Sequence, residues 1–76
     1  MAKTPTTHLS RARCQVRPEH AKTELDVIVD GRLAGTSQWG WMCEDCHRRY
    51  GVGLGTGLGQ KWQRQGIGCT FVKVEG

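Results

Sequence analysis

Cys43-Glu44-Asp45-Cys46-His47-Arg48-Arg49-Tyr50 joins a Cys-x-x-Cys pair to a run of helix formers free of glycine and proline. Glu44 and Asp45 fall in the first turn and Arg48 and Arg49 in the last, an order that suits the helix dipole, and Gly51 follows as a stop. The stretch predicts a helix of roughly two turns. A helix so short is unstable alone, so something must pin it, and a metal ion on its first turn would. Cys-x-x-Cys presents two thiolates to one ion, which is half of a tetrahedral zinc site.

The rest of the chain makes such a staple necessary. It has 76 residues, 37% of them apolar, five aromatic (Trp39, Trp41, Tyr50, Trp62 and Phe71), and eleven glycines that add unfolded-state entropy. A core of this size supplies only about 3–5 kcal/mol. The longest apolar run is Val27-Ile28-Val29, so no segment is long enough to enter a membrane, and no apolar stretch near the start marks a secretory signal. The expected location is the cytoplasm, where thiols stay reduced and Cys-x-x-Cys is metal-binding or redox-active rather than disulfide-bonded. A thioredoxin-like dithiol needs a larger βαβ sheet, and an iron–sulfur cluster would have to recruit Cys69.

The remaining ligands must come from Cys14, Cys69, His8, His20 or His47. Glu24–Val29 alternates and reads as a strand. Asp30-Gly31 is a two-residue hairpin signal, and the return strand is expected over 32–37. Cys14 therefore lies in a loop before a hairpin that brings the chain back to Cys43. Loop ligand, hairpin, then Cys-x-x-Cys opening a helix is the treble-clef order. A second knuckle ligand three residues after Cys14 would be Arg17, which cannot serve. His20, six residues after Cys14, is the nearest replacement, and His8, six before it, is the next choice. His47 follows Cys46 directly and points about 100° away from it on a helix. Cys69 sits in an alternating segment, Cys69–Val74, that reads as a final strand with the cysteine as a small core residue. The expected fold is a small α+β zinc-bound domain, treble-clef-like, with a β-hairpin, one short helix and a C-terminal strand. Residues 1–12 form a flexible arm and 13–76 the zinc-binding domain. Zn2+ is structural, on Cys14, His20, Cys43 and Cys46, with His8 as the alternative to His20.

The segment Trp39–Lys61, WGWMCEDCHRRYGVGLGTGLGQK, resembles a group of small uncharacterised bacteriophage and prophage proteins. Their shared segment runs Trp-Ala-x-Met-Cys-x-x-Cys-His-x-x-Tyr-Gly-Val-Gly-Leu-Gly-Thr-Gly-x-Gly-Gln. The Asp30-Gly31 pair before it and Phe71-Val72-Lys73-Val74 after it also fit. Members of the group often carry an upstream Cys-x-x-Cys, from which this chain departs at Arg17. The resemblance implies a phage origin, hence a bacterial host cell, and a zinc module; it implies no activity.

Glycines 51, 53, 55, 57 and 59 all occupy odd positions. A dinucleotide fingerprint (i, i+2, i+5) and a Walker A loop (i, i+5) both need one at an even position, so parity disfavours either. If the run is extended, one bare face can take a packed tryptophan or a nucleic-acid backbone; alternatively it is a loop that orders on binding. Net charge is +4; residues 1–45 hold six basic and six acidic side chains, residues 46–76 five basic and one acidic. The basic C-terminal half points to a polyanionic partner, with Arg48, Arg49, Lys61, Trp62 and Arg64 as the contact candidates, Trp62 stacking a base or closing the core. Three tryptophans also suit a protein-interaction module that binds and modulates a host protein. No acid near the glycine run could hold magnesium, and His47 is the sole general-base candidate near the cysteines, so the reading is non-enzymatic.

Overall fold

The computed structural model describes residues 5–55 and 57–76. Five antiparallel strands, β1 (Thr6–His8), β2 (Val27–Arg32), β3 (Trp39–Met42), β4 (Gly59–Arg64) and β5 (Thr70–Glu75), form one sheet in the order β1-β5-β4-β2-β3. A 3-10 helix (Pro18–Lys22) precedes β2, and the single α-helix, α1 (Glu44–Tyr50), follows β3. The architecture is the small α+β fold expected, with loop, hairpin and Cys-x-x-Cys helix in treble-clef order. The sheet is larger than the sequence suggested.

The hairpin is present, but its turn is not at Asp30-Gly31. Both residues lie inside β2, where Asp30 pairs with Trp41 and Gly31 with Gly40. The chain reverses over residues 33–38, closed by the Leu33 N–H donating to the Gln38 carbonyl (2.9 Å), with Gly35 at φ 78°. The return strand is therefore 39–42 rather than 32–37, and the first strand begins at Val27 rather than Glu24. Packing explains Gly31. It shares a cross-strand row with Gly40 and Gly59, and a Cβ on it would meet His47 Cδ2 at 3.2 Å.

Alternation and register assign the side chains to two faces. Val29 and Met42 are opposite one another on the face that receives α1, and they form one buried cluster with Cys14 and Cys46. Ile28 and Phe71 lie on the other face with Ala12, flanked by Leu9, Trp41 and Trp62. Cys46 is the buried residue of α1, so the helix rests on the sheet through a ligand candidate. Of the arm expected over 1–12, residues 1–4 lie outside the described residues; Thr6–His8 pair with β5, and Ala12 is buried.

The glycine segment is not an extended pleat. Gly53, Gly55 and Gly57 take positive φ (123°, 125° and 78°), and Thr56 lies outside the described residues. The loop turns back on itself through a Gly55–Gly59 bridge and fastens to β2, with the Arg32 N–H donating to the Leu58 carbonyl (3.0 Å) and the Val52 N–H to the Arg32 carbonyl (3.2 Å). Among the described residues the nearest neighbours of these glycines include no tryptophan: a Cβ on Gly51 would strike His47, and the atoms nearest one on Gly59 are backbone.

Candidate metal centre

The two halves of the cluster are positioned by different devices. Gln15 pairs with the outer edge of β3: its N–H donates to the Trp41 carbonyl (2.8 Å) and its side-chain Oε1 accepts from the Trp41 N–H (3.1 Å). That anchors Cys14 beside Met42. The proline-initiated 3-10 turn raises His20, and an Arg13 guanidinium bond to the Ala21 carbonyl (3.2 Å) closes the neck of the loop. Cys43 is the N-cap of α1 and Cys46 lies in its first turn. Gln15 and Arg13 carry no motif signal; their roles depend on the partner strand and loop.

The ligand atoms of Cys14, His20, Cys43 and Cys46 all lie within 4.8 Å of one another. Cys14 Sγ is 3.6 Å from Cys46 Sγ, and His20 Nδ1 is 3.5 Å from Cys43 Sγ and 3.3 Å from Cys46 Sγ. A tetrahedral ion with zinc–sulfur and zinc–nitrogen bonds of ordinary length separates two sulfurs by about 3.8 Å and a sulfur from a nitrogen by about 3.5 Å. These three spacings are close to that frame, and 3.6 Å is far beyond a disulfide bond. Three thiols and an imidazole form a soft donor set, able to hold a metal ion.

Electrostatics in the cluster are polarised. Burial raises the Cys14 thiol, but the backbone N–H groups of Cys43, Arg17 and Val16 outweigh it and bring Cys14 down to about 7. Burial, with the Cys14 and Cys43 sulfurs beside it, pushes Cys46 up to about 12. Placing three thiolates together thus needs a cation among them.

The other histidines and Cys69 stand apart from the cluster. His8 is exposed on β1 opposite Thr70. His47 Nε2–H donates to the Gly53 carbonyl (2.8 Å) and its ring packs between Gly31 and Gly51, tying the glycine loop to the helix. Cys69 is half-buried and free.

The five contact candidates do not form one open basic patch. Arg48 and Arg49 are exposed but both pair with Asp45 (3.4 and 3.2 Å). Lys61 pairs with Glu44 (2.8 Å). Arg64, with 15% of its side chain exposed, bonds Asp26 (2.9 Å), Glu24 (3.4 Å) and the Leu25 and Gly68 carbonyls, and stacks over Phe71 (4.8 Å). Trp62 packs on the cluster of Ala12, Ile28 and Phe71, its indole nitrogen buried without a partner among the described residues. Acids of the first half thus pair with four of the five bases of the second. Among the described residues no helix is long and apolar enough to cross a membrane. In comparison with known proteins, no family model, no curated protein and no solved structure matches this chain.

Proposed function

We propose that this chain is a non-enzymatic binding module, held in shape by one structural zinc ion and directed at nucleic acid. The observation that carries the reading is the Cys3His cluster: its four donors are enough to complete a tetrahedral shell, whereas a catalytic zinc keeps a position open for water or substrate. The soft donors favour zinc over magnesium or calcium. A net charge of +4 on so small a body favours a polyanionic partner. The likeness of Trp39–Lys61 to phage proteins makes an infected bacterial cell its expected place. A second reading, a protein-interaction module, is favoured by a cavity of about 350 Å³ lined by Val16, Leu33, Ala34, Thr36, Arg49 and Tyr50.

Native mass spectrometry of the purified chain tests the metal. One zinc per chain is expected, and a metal-free or two-metal species contradicts the reading. The pH dependence has a defined sign. The metal-free chain is expected to be unfolded, so its three cysteines carry their protons below about 8.5, and zinc would displace one from each. Each displaced proton costs about tenfold in affinity per pH unit of acidification. Zinc affinity should therefore fall as pH falls, by about a thousandfold per unit below 7. A competition titration with a chromogenic chelator at several pH values measures the slope, and a flat profile rules out thiolate ligation.

A further inference from the structure

We infer that the tryptophan-bearing face of the sheet is a single-stranded nucleic-acid platform, with bases stacking on Trp39 beside Trp41 and phosphates held by Arg32 and Lys73. This rests on the nucleic-acid reading above and moves the contact surface away from α1.

Register places these side chains together. Arg32 is directly opposite Trp39, Asp30 lies between Trp41 and Gln60 in one cross-strand row, and Trp62 is opposite Lys73. Residues directly opposite in an antiparallel pair share a face. Ala12, Leu9 and Leu25 cover the Ile28–Phe71 end of that face. The other end keeps Trp39 45% exposed, and among the described residues no helix or strand other than β2 and α1 contacts β3. Trp39 is part of neither buried cluster among the described residues.

Charge selects the occupant. Arg17, Arg48, Arg49, Lys61 and Arg64 are each in an ion pair. Among the described residues, Arg32 and Lys73 pair with no acidic side chain; Arg32 reaches the carbonyl oxygens of Gly57 and Thr36, and Lys73 the backbone oxygen of Gly76 (3.2 Å). Arg11 and Arg13, on either side of the buried Ala12, are exposed and likewise outside the ion pairs. Of the cations without an acidic partner among the described residues, Arg32 and Lys73 thus lie on the face that carries the tryptophans. Alternating aromatic rings and cations suit a chain of bases and phosphates, and base faces are reachable only in a single strand. Asp30 sharpens this choice. It makes no ion pair or side-chain hydrogen bond among the described residues, and partial burial raises its carboxyl. A carboxylate repels phosphate but accepts from the exocyclic amines of cytosine and guanine, and Gln60 beside it can read either edge of a base.

Fluorescence anisotropy with labelled single-stranded DNA, single-stranded RNA and duplex DNA, each about 12 nucleotides long, tests the surface. Both single strands should bind more tightly than the duplex, and the DNA and RNA arms show which sugar is preferred. Trp39→Ala should weaken single-strand binding about tenfold, while Trp39→Phe, which keeps a stacking ring, restores most of it. Arg32→Ala should lower the salt dependence, and the Arg48→Ala/Arg49→Ala double variant should change affinity far less than Trp39→Ala. Zinc content and far-UV circular dichroism confirm that each variant is folded. If binding survives Trp39→Ala but is lost in the Arg48/Arg49 double variant, or if duplex is preferred, this surface is wrong while the nucleic-acid reading stands. If neither strand form binds at low salt, the nucleic-acid reading itself fails and the platform with it.

Discussion

Replacing Cys46 by alanine should yield a chain that does not fold cooperatively. Among the described residues seven hydrophobic side chains are buried, and two of them, Cys14 and Cys46, are sulfur ligands in the proposed site. The cluster under α1 consists of those two sulfurs with Val29 and Met42. A structural zinc contributes an apparent 10–16 kcal/mol at neutral pH (roughly, in small zinc domains), several times what a core this small supplies. Cys46→Ala removes a ligand and the only buried anchor of α1 in one change. The expected result is loss of near-ultraviolet dichroism and of a sigmoidal thermal transition. Cys69→Ala is the control: this thiol is half-buried outside the cluster, and its loss should cost about 1 kcal/mol or less. If the two variants melt alike, the sulfur of Cys46 has no special role.

The second large effect is expected at Gly59, although it is far from any ligand in sequence. An added Cβ would lie 2.8 Å from the Gly53 carbonyl oxygen, 3.2 Å from the Asp30 carbonyl oxygen and 3.3 Å from Gly31 Cα. All three neighbours are backbone, so no rotamer change relieves the contact. Gly59→Ala must push the loop of residues 51–58 away from β2, breaking the Leu58–Arg32 and Gly55–Gly59 bonds. Overpacking of this kind costs about 1–3 kcal/mol, and the loop bonds add to it. Gly35→Ala is the comparison: its positive φ carries strain, but nothing lies within 4 Å of the new methyl group. Chemical denaturation should rank Gly59→Ala as clearly the more destabilised, and the reverse order would mean that the glycine loop does not pack as described.

The cluster was legible in the sequence because it follows from order and spacing. Cys-x-x-Cys opening a short helix, a single upstream cysteine and the nearest following histidine are local facts, and the four atoms come together within 4.8 Å. The hairpin was legible as an element but not in register. Asp30-Gly31 is a turn signal by its chemistry, yet β2 is hydrogen-bonded on both sides, and Gly31 sits where a Cβ would press on the His47 ring (3.2 Å). Tertiary packing decided the role of that glycine. Gly59–Arg64 hid as a strand because β4 presents polar side chains at most positions, with Trp62 as its one clear β former. The charge asymmetry misled for a related reason: Arg64 finds Asp26 and Glu24, and Lys61 finds Glu44, across distances in sequence that composition cannot report. Arg32 and Lys73, which meet no acidic side chain among the described residues, are interleaved with tryptophans only once the register is known.

One measurement bears most directly on the claim that a metal ion fixes this fold: the amide NMR spectrum of the chain as purified, after chelator stripping under reducing conditions, and during zinc titration. The dispersed spectrum should collapse on stripping and return in full at one equivalent of zinc, with no further change beyond it. A stripped chain that keeps its dispersed spectrum and its thermal midpoint would contradict the account.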